Sequence, residues 1–230
     1  MNKRENISNT SKVLFRGFRG VLFFVFFPVF AYAQTEYVND IQTIYSERTY
    51  VTVSKTTVDA SLNTANTVLD KFIDDLIADP ESLFLEGRML EGLGSKDDKE
   101  KELFLIEYQG YNYNKTTGLY TGTLNIFMNK TKLSNIDFTG KITRTAPHKN
   151  VSEAFFELVD NNPIVKIAKG KIVVKQIDSQ TIEIEQTATF QFRWLFNLFF
   201  TQNNYRNLAE WRLDKFLENI KREMLREEER

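Results

Sequence analysis

The segment Thr181–Trp194 sets the strongest limit on what this chain can fold into. Ile182, Ile184, Ala188, Phe190, Phe192 and Trp194 fall on one side of a two-residue repeat. Glu183, Glu185, Thr187, Thr189, Gln191 and Arg193 fall on the other. A period of two over that length is a strand with one dry and one wet face, the pattern of an antiparallel sheet. Ser134–Thr145 repeats it, with Ile136, Phe138 and Ile142 against Asp137, Thr139, Lys141 and Thr143. Arg48–Lys55, Leu103–Gln109, Leu119–Met128 and Ile164–Ile177 add further strand candidates, so the sheet is expected to hold about six or seven strands. Gln34–Ser46 is polar with scattered apolar residues and reads as an ordered lead-in.

Two segments keep a helical period instead. Val58, Leu62, Ala65, Leu69, Phe72, Ile73 and Leu76 recur at three- and four-residue steps. They predict a helix over Thr57–Ala78, capped by Thr56 or Thr57 and ended by Asp79-Pro80. A second helix is expected from about Asn204, with Tyr205, Leu208, Ala209, Leu213, Phe216, Leu217, Ile220 and Met224 as its apolar stripe. Its charged end, Lys221–Arg230, is expected to fray, and Val151–Asp160 reads as a short helix. The class is α+β: an antiparallel curved sheet, one long helix after the first strand, and a long C-terminal helix packed on the sheet.

The N-terminus reads as an address. Lys3, Arg4, Lys12, Arg16 and Arg19 precede an apolar run broken only by Pro28, and Ala31-x-Ala33 follows the small-residue cleavage pattern. The run from Val21 to Ala33 is 13 residues, short of the ~20 that span a bilayer. Residues 1–33 are therefore expected to be a signal peptide, with 34–230 as a single domain and no stable transmembrane span after cleavage. The 230 residues less 33 leave 197. The leader carries five positive charges and one negative, so a chain of net −1 leaves a mature domain of about −5. The chain has no cysteine, and an exported domain without disulfides points to a bacterial periplasm or cell surface.

The element order resembles the helix-grip fold of START-like and polyketide-cyclase-like proteins. The strand Tyr50–Val53, the strand Thr181–Trp194 and the amphipathic helix Tyr205–Met224 carry the resemblance, which covers most of Arg48–Met224. It implies a cavity between sheet and C-terminal helix that takes apolar ligands.

Composition narrows the chemistry. Without cysteine there is no thiol nucleophile, no cysteine-held zinc and no iron–sulfur cluster. The one histidine, His148, sits in a polar segment with no signalled partner, which leaves no metal site and no cofactor to expect. A balanced net charge gives no support for nucleic acid as a partner. Glu183 and Glu185, about 6.5–7 Å apart along one strand face, are the best pair for a carboxylate-dependent hydrolase, but they lie on the wet face.

The leading expectation is a non-catalytic envelope protein that binds a lipid-like or other apolar molecule. Its cavity candidates are Phe138, Phe190, Phe192, Trp194, Leu213, Phe216 and Ile220. The alternative is an envelope interaction or assembly protein with a protein partner and a fully packed core. Trp194, Leu195, Phe196, Leu198, Phe199 and Phe200 form a dense apolar segment that reads as a buried strand end, a cavity mouth, a membrane-contacting edge or a partner patch.

Overall fold

A computed structural model describes residues 39–79, 88–91, 104–114, 116–128, 131–160, 163–197 and 201–230. Residues 1–33, expected from the sequence to be a signal peptide, lie outside them. All described residues belong to one compact unit, Thr35–Arg230.

Among the described residues eight strands form one antiparallel sheet: β1 (Asp40–Ser46), β2 (Thr49–Asp59), β3 (Phe104–Asn114), β4 (Leu119–Met128), β5 (Thr131–His148), β6 (Val151–Leu158), β7 (Val165–Gln176) and β8 (Thr181–Phe192). Their spatial order is β1-β2-β8-β7-β6-β5-β4-β3. The run from β3 to β8 is a meander of hairpins. Its last strand returns to pair with β2, so Tyr50 lies opposite Phe190 and Val58 opposite Ile182. Register shifts within the pairs of β3 with β4, β4 with β5, β5 with β6 and β7 with β8 bend the strands locally.

The sheet has one strand more than the upper expectation, because β1 and β6 are strands. Polar β1 is held by a two-residue turn in which Glu47 and Arg48 both take positive φ, 51° and 63°. Such turns usually announce themselves with Asn or Gly, and this one does not. The hairpin from β5 to β6 turns the same way at Lys149 and Asn150, φ 45° and 65°. That turn makes Val151–Leu158 pair with both neighbours rather than coil into the expected helix.

Among the described residues the α-helices are α1 (Leu62–Ala78), the single turns α2 (Trp194–Asn197) and α3 (Gln202–Tyr205), and α4 (Trp211–Glu228), with a 3-10 turn at Arg88–Leu90. A five-residue π segment, Arg206–Glu210, joins α3 to α4. Helix α1 starts later than expected because β2 runs on to Asp59. Its cap is Ser61, whose hydroxyl accepts from the Thr64 amide at 3.2 Å, in place of Thr56 or Thr57.

The end of α4 does not fray. The Glu228 carboxylate accepts from the Ser61 amide at 3.0 Å, from the Ser61 hydroxyl at 3.2 Å and from the Thr64 hydroxyl. These bonds fix the C-terminal helix to the start of α1. They hold the Glu228 carboxyl below the usual carboxylate range, with the Thr64 hydroxyl the main cause.

Val58, Val68, Leu69, Val174, Ile182, Ile184, Leu217, Ile220 and Met224 form the main core between sheet, α1 and α4. The outer face of the sheet is laced by ion pairs: Lys55–Glu185 at 2.7 Å, Lys171–Glu153 at 2.8 Å, Lys169–Glu157 at 3.9 Å and Lys175–Glu183 at 4.0 Å.

Candidate functional site

The inward register of the sheet changes size along its strands. Towards one end it presents Val174, Ile182 and Ile184, all fully buried. Further along it presents Gly170 opposite Ala188, with Ala154 on the next strand. Small side chains there leave space that α1 and α4 do not fill. The result is a cavity of about 390 Å³ between sheet and helices. Leu69, Phe72, Ile73 and Leu76 of α1 form one wall, and Leu213 and Phe216 of α4 another. Tyr120, Phe138, Ile142, Phe156, Ile172 and Phe190 complete the apolar lining from the sheet. The volume is within the ~300–1,000 Å³ of small-molecule sites, at the lower end. The interior is therefore not fully packed.

Two glycines position the aromatic lining. A Cβ on Gly140 would come within 2.8 Å of the Phe156 ring, and one on Gly122 within 2.6 Å of the Phe138 ring. The rings lie over bare backbone, and any larger residue would move them. Phe138 also meets Tyr120 edge to face at 5.5 Å, which fixes its tilt. Helix α1 is held over the cavity by Arg144. Its Nε donates to Asp70 Oδ1 at 2.7 Å and its Nη2 to Asn66 Oδ1 at 2.8 Å. Its Nη1 also donates to the Glu153 carbonyl at 3.0 Å, so Arg144 clasps α1 to β5 and β6.

The expected site residues separate into two groups. Phe138, Phe190, Leu213 and Phe216 line the cavity. Ile220 is buried in the packed core beside Leu217 and Met224. Phe192 packs instead with Ile136, Ile164 and Phe196, its ring 5.6 Å from that of Phe196. Trp194 is 68% exposed, because β8 ends at Phe192 and α2 begins at Trp194, so the alternation no longer applies to it. The described part of the apolar segment, Trp194–Asn197, is thus a helical turn rather than a strand end, with Phe196 turned inward and Trp194 outward. Leu198, Phe199 and Phe200 lie outside the described residues, and the Leu195 side chain is likewise not described.

Sequence reasoning missed most of the small and α1 residues of the wall. Above all it missed Gln186. This residue occupies the inward register between Ile184 and Ala188, opposite Ser54 of β2 and Ile172 of β7. It is 5% exposed, lines the cavity, and its Oε1 has no hydrogen-bond partner. The signal was there as a polar residue in the apolar parity of the clearest strand.

Near the cavity, Tyr205 stacks on Tyr50 at 4.0 Å and shares a 2.8 Å hydrogen bond with the Thr52 hydroxyl. Burial pushes both tyrosines up to about 12, so both are neutral at physiological pH. Among the described residues the cavity lining includes no carboxylate and no imidazole. His148 is exposed at the end of β5. Glu183 and Glu185 pair with lysines on the outer face, away from the inward register of Ile182, Ile184 and Gln186. The best carboxylate pair for a hydrolase is therefore an ion-paired surface feature. What the cavity can do is remove apolar surface from water and offer a buried amide, with Tyr120, Lys169 and Lys171 the other polar residues of its lining.

No protein-family model and no curated protein matches the sequence. Similar solved structures include an aromatase/cyclase from Streptomyces, 12% identical, with 81% of this chain and 95% of that chain covered and a TM-score of 0.43. A norcoclaurine synthase from Thalictrum flavum is 14% identical, with 80% and 97% covered and a TM-score of 0.44. A START superfamily protein from Mycobacterium smegmatis is 9% identical, with 76% and 97% covered and a TM-score of 0.41. The chain's own topology is an antiparallel meander with a C-terminal helix packed on it. At these identities and TM-scores the similar structures contribute nothing to the reading of the site.

Proposed function

We propose that this protein binds an apolar or amphipathic, lipid-like small molecule in the cavity between its sheet and helices α1 and α4. The observation that carries the reading is the cavity of about 390 Å³, lined by Leu69, Phe72, Phe138, Phe156, Leu213 and Phe216. Burying a ligand there gains roughly 25 cal/mol for each Å² of apolar surface removed from water. The size suits one acyl chain or a small fused ring system.

The binding is non-catalytic, and it takes place outside the cytoplasm. The basic n-region, the apolar run and Ala31-x-Ala33 support export to a bacterial periplasm or surface. Among the described residues no helix is long and apolar enough to cross a membrane. N-terminal sequencing of the protein from its own cells is expected to start at Gln34; a start at Met1 in the exported fraction would refute cleavage.

Native mass spectrometry of that same material tests the binding. The expected spectrum shows one small molecule bound per chain, released on denaturation. A bare chain that also fails to take up an added apolar probe would overturn the reading. A stoichiometric protein partner on such an empty chain would favour the assembly role instead.

A further inference from the structure

Burial of an uncompensated polar atom is unusual: in native structures almost every buried donor or acceptor has a partner. The inward face beneath the cavity breaks this pattern twice in one place. Gln186 Oε1 and Ser54 Oγ are both buried and both lack a hydrogen-bond partner. The two residues are 5% and 1% exposed and sit directly opposite each other in the pairing of β2 with β8. Gln186 belongs to the cavity lining, where Ile172, Ala188 and Leu213 are apolar and the other polar residues are Tyr120, Lys169 and Lys171. A leucine of similar size at this position would have closed the wall without leaving an unpaired acceptor.

Resting on the cavity reading above, we infer that the ligand is an uncharged amphiphile that presents a hydroxyl to the Gln186 amide. A hydroxyl both donates and accepts, so it matches an amide that offers an acceptor and two donors. A carboxylate only accepts and would leave Oε1 unpaired. It would also bring a charge into a wall whose cations are already engaged. Lys171 pairs with Glu153 at 2.8 Å and Lys169 with Glu157 at 3.9 Å. A pure hydrocarbon would fill the space but leave the acceptor unsatisfied.

The test uses three probes of one shape: naphthalene, naphthol and naphthoate. Their affinities are measured by isothermal titration on the full mature chain and on Gln186→Leu and Gln186→Met. Denaturant unfolding reports that each variant is folded; removing an unpaired acceptor is expected to leave stability equal or higher. In the unaltered protein naphthoate is expected to bind weakest. The ratio of naphthol to naphthalene affinity is expected to fall about tenfold in both variants, the scale of one hydrogen bond to a buried acceptor. An unchanged ratio, with all probes still bound in the cavity, would overturn the hydroxyl assignment and leave the cavity reading standing. Tightest binding of naphthoate would overturn it in favour of an anionic ligand. Failure of every probe to bind would remove both.

Discussion

At one end of the interface between sheet and helices, Val174, Ile182 and Ile184 meet Leu217, Ile220 and Met224, all fully buried. At the other end, Ala154, Gly170 and Ala188 face Leu213 and Phe216 across a cavity. Both ends use the same strands, the same inward parity and the same helix α4. They differ in side-chain volume at registered positions. Parity decides which residues leave water; volume at the pairing partners decides whether they meet. A hollow in such a fold is thus written in three small residues on adjacent strands, not in any run of large ones.

Truncation should expose this difference most strongly. Ile184→Ala or Leu217→Ala, at the packed end, is expected to cost about 2–5 kcal/mol in urea unfolding, since a new void opens among fully buried neighbours. Leu213→Ala, whose side chain already borders empty space, should cost clearly less. Equal losses at Leu217 and Leu213 would erase the distinction between the ends. Next comes Gly140→Ala. Its Cβ would press on the Phe156 ring, which lines the cavity, at 2.8 Å. A loss of roughly 1–3 kcal/mol is expected, together with weaker probe binding.

Filling the hollow should act in the opposite sense. Ala188→Leu is expected to hold stability steady or raise it by about 0.5–2 kcal/mol, as cavity-filling changes commonly do, while abolishing ligand uptake. A strongly destabilised Ala188→Leu would mean that the space is not available to side chains. The acid limb of stability supplies a smaller effect. Glu228 has a folded pKa below its usual value, so its contribution is complete above that usual value, about 4.5, and is lost as pH falls through the depressed one. Stability of Glu228→Gln should therefore approach that of the unaltered protein as pH drops below 4.5, and fall short of it at neutral pH. The smallest effect belongs to Glu183→Gln on the outer face, where an exposed pair at 4.0 Å from Lys175 should alter neither unfolding nor binding appreciably.

Much of this architecture is legible in the sequence. The alternation of Thr181–Phe192 and of Ser134–Thr145, and the helical stripes around Leu69 and Leu217, specify an antiparallel sheet with helices on one face. Strands β1 and β6 were hidden because their evidence is not periodic. Glu47-Arg48 makes a tight turn without Asn or Gly, and Phe155-Phe156 places large rings on both faces of β6. Partition of the site was harder to foresee. Ile220 follows the same helical stripe as Phe216, and only the size of the opposing strand residues assigns one to the core and the other to the cavity. Trp194 continued the parity of β8 on paper, but the chain turns into α2 before reaching it. Gln186 was visible as an exception to the pattern, and such exceptions carry more information about a binding site than the residues that obey it.

Methyl NMR shifts on titration with an apolar probe such as naphthol test the contrast between the two ends most directly. The account predicts perturbed methyls at Ile142, Ile172, Leu69 and Leu213, which line the cavity, and unmoved methyls at Ile182, Ile184 and Leu217. Shifts confined to exposed residues such as Ile44 and Ile177, with the cavity methyls silent, would contradict it.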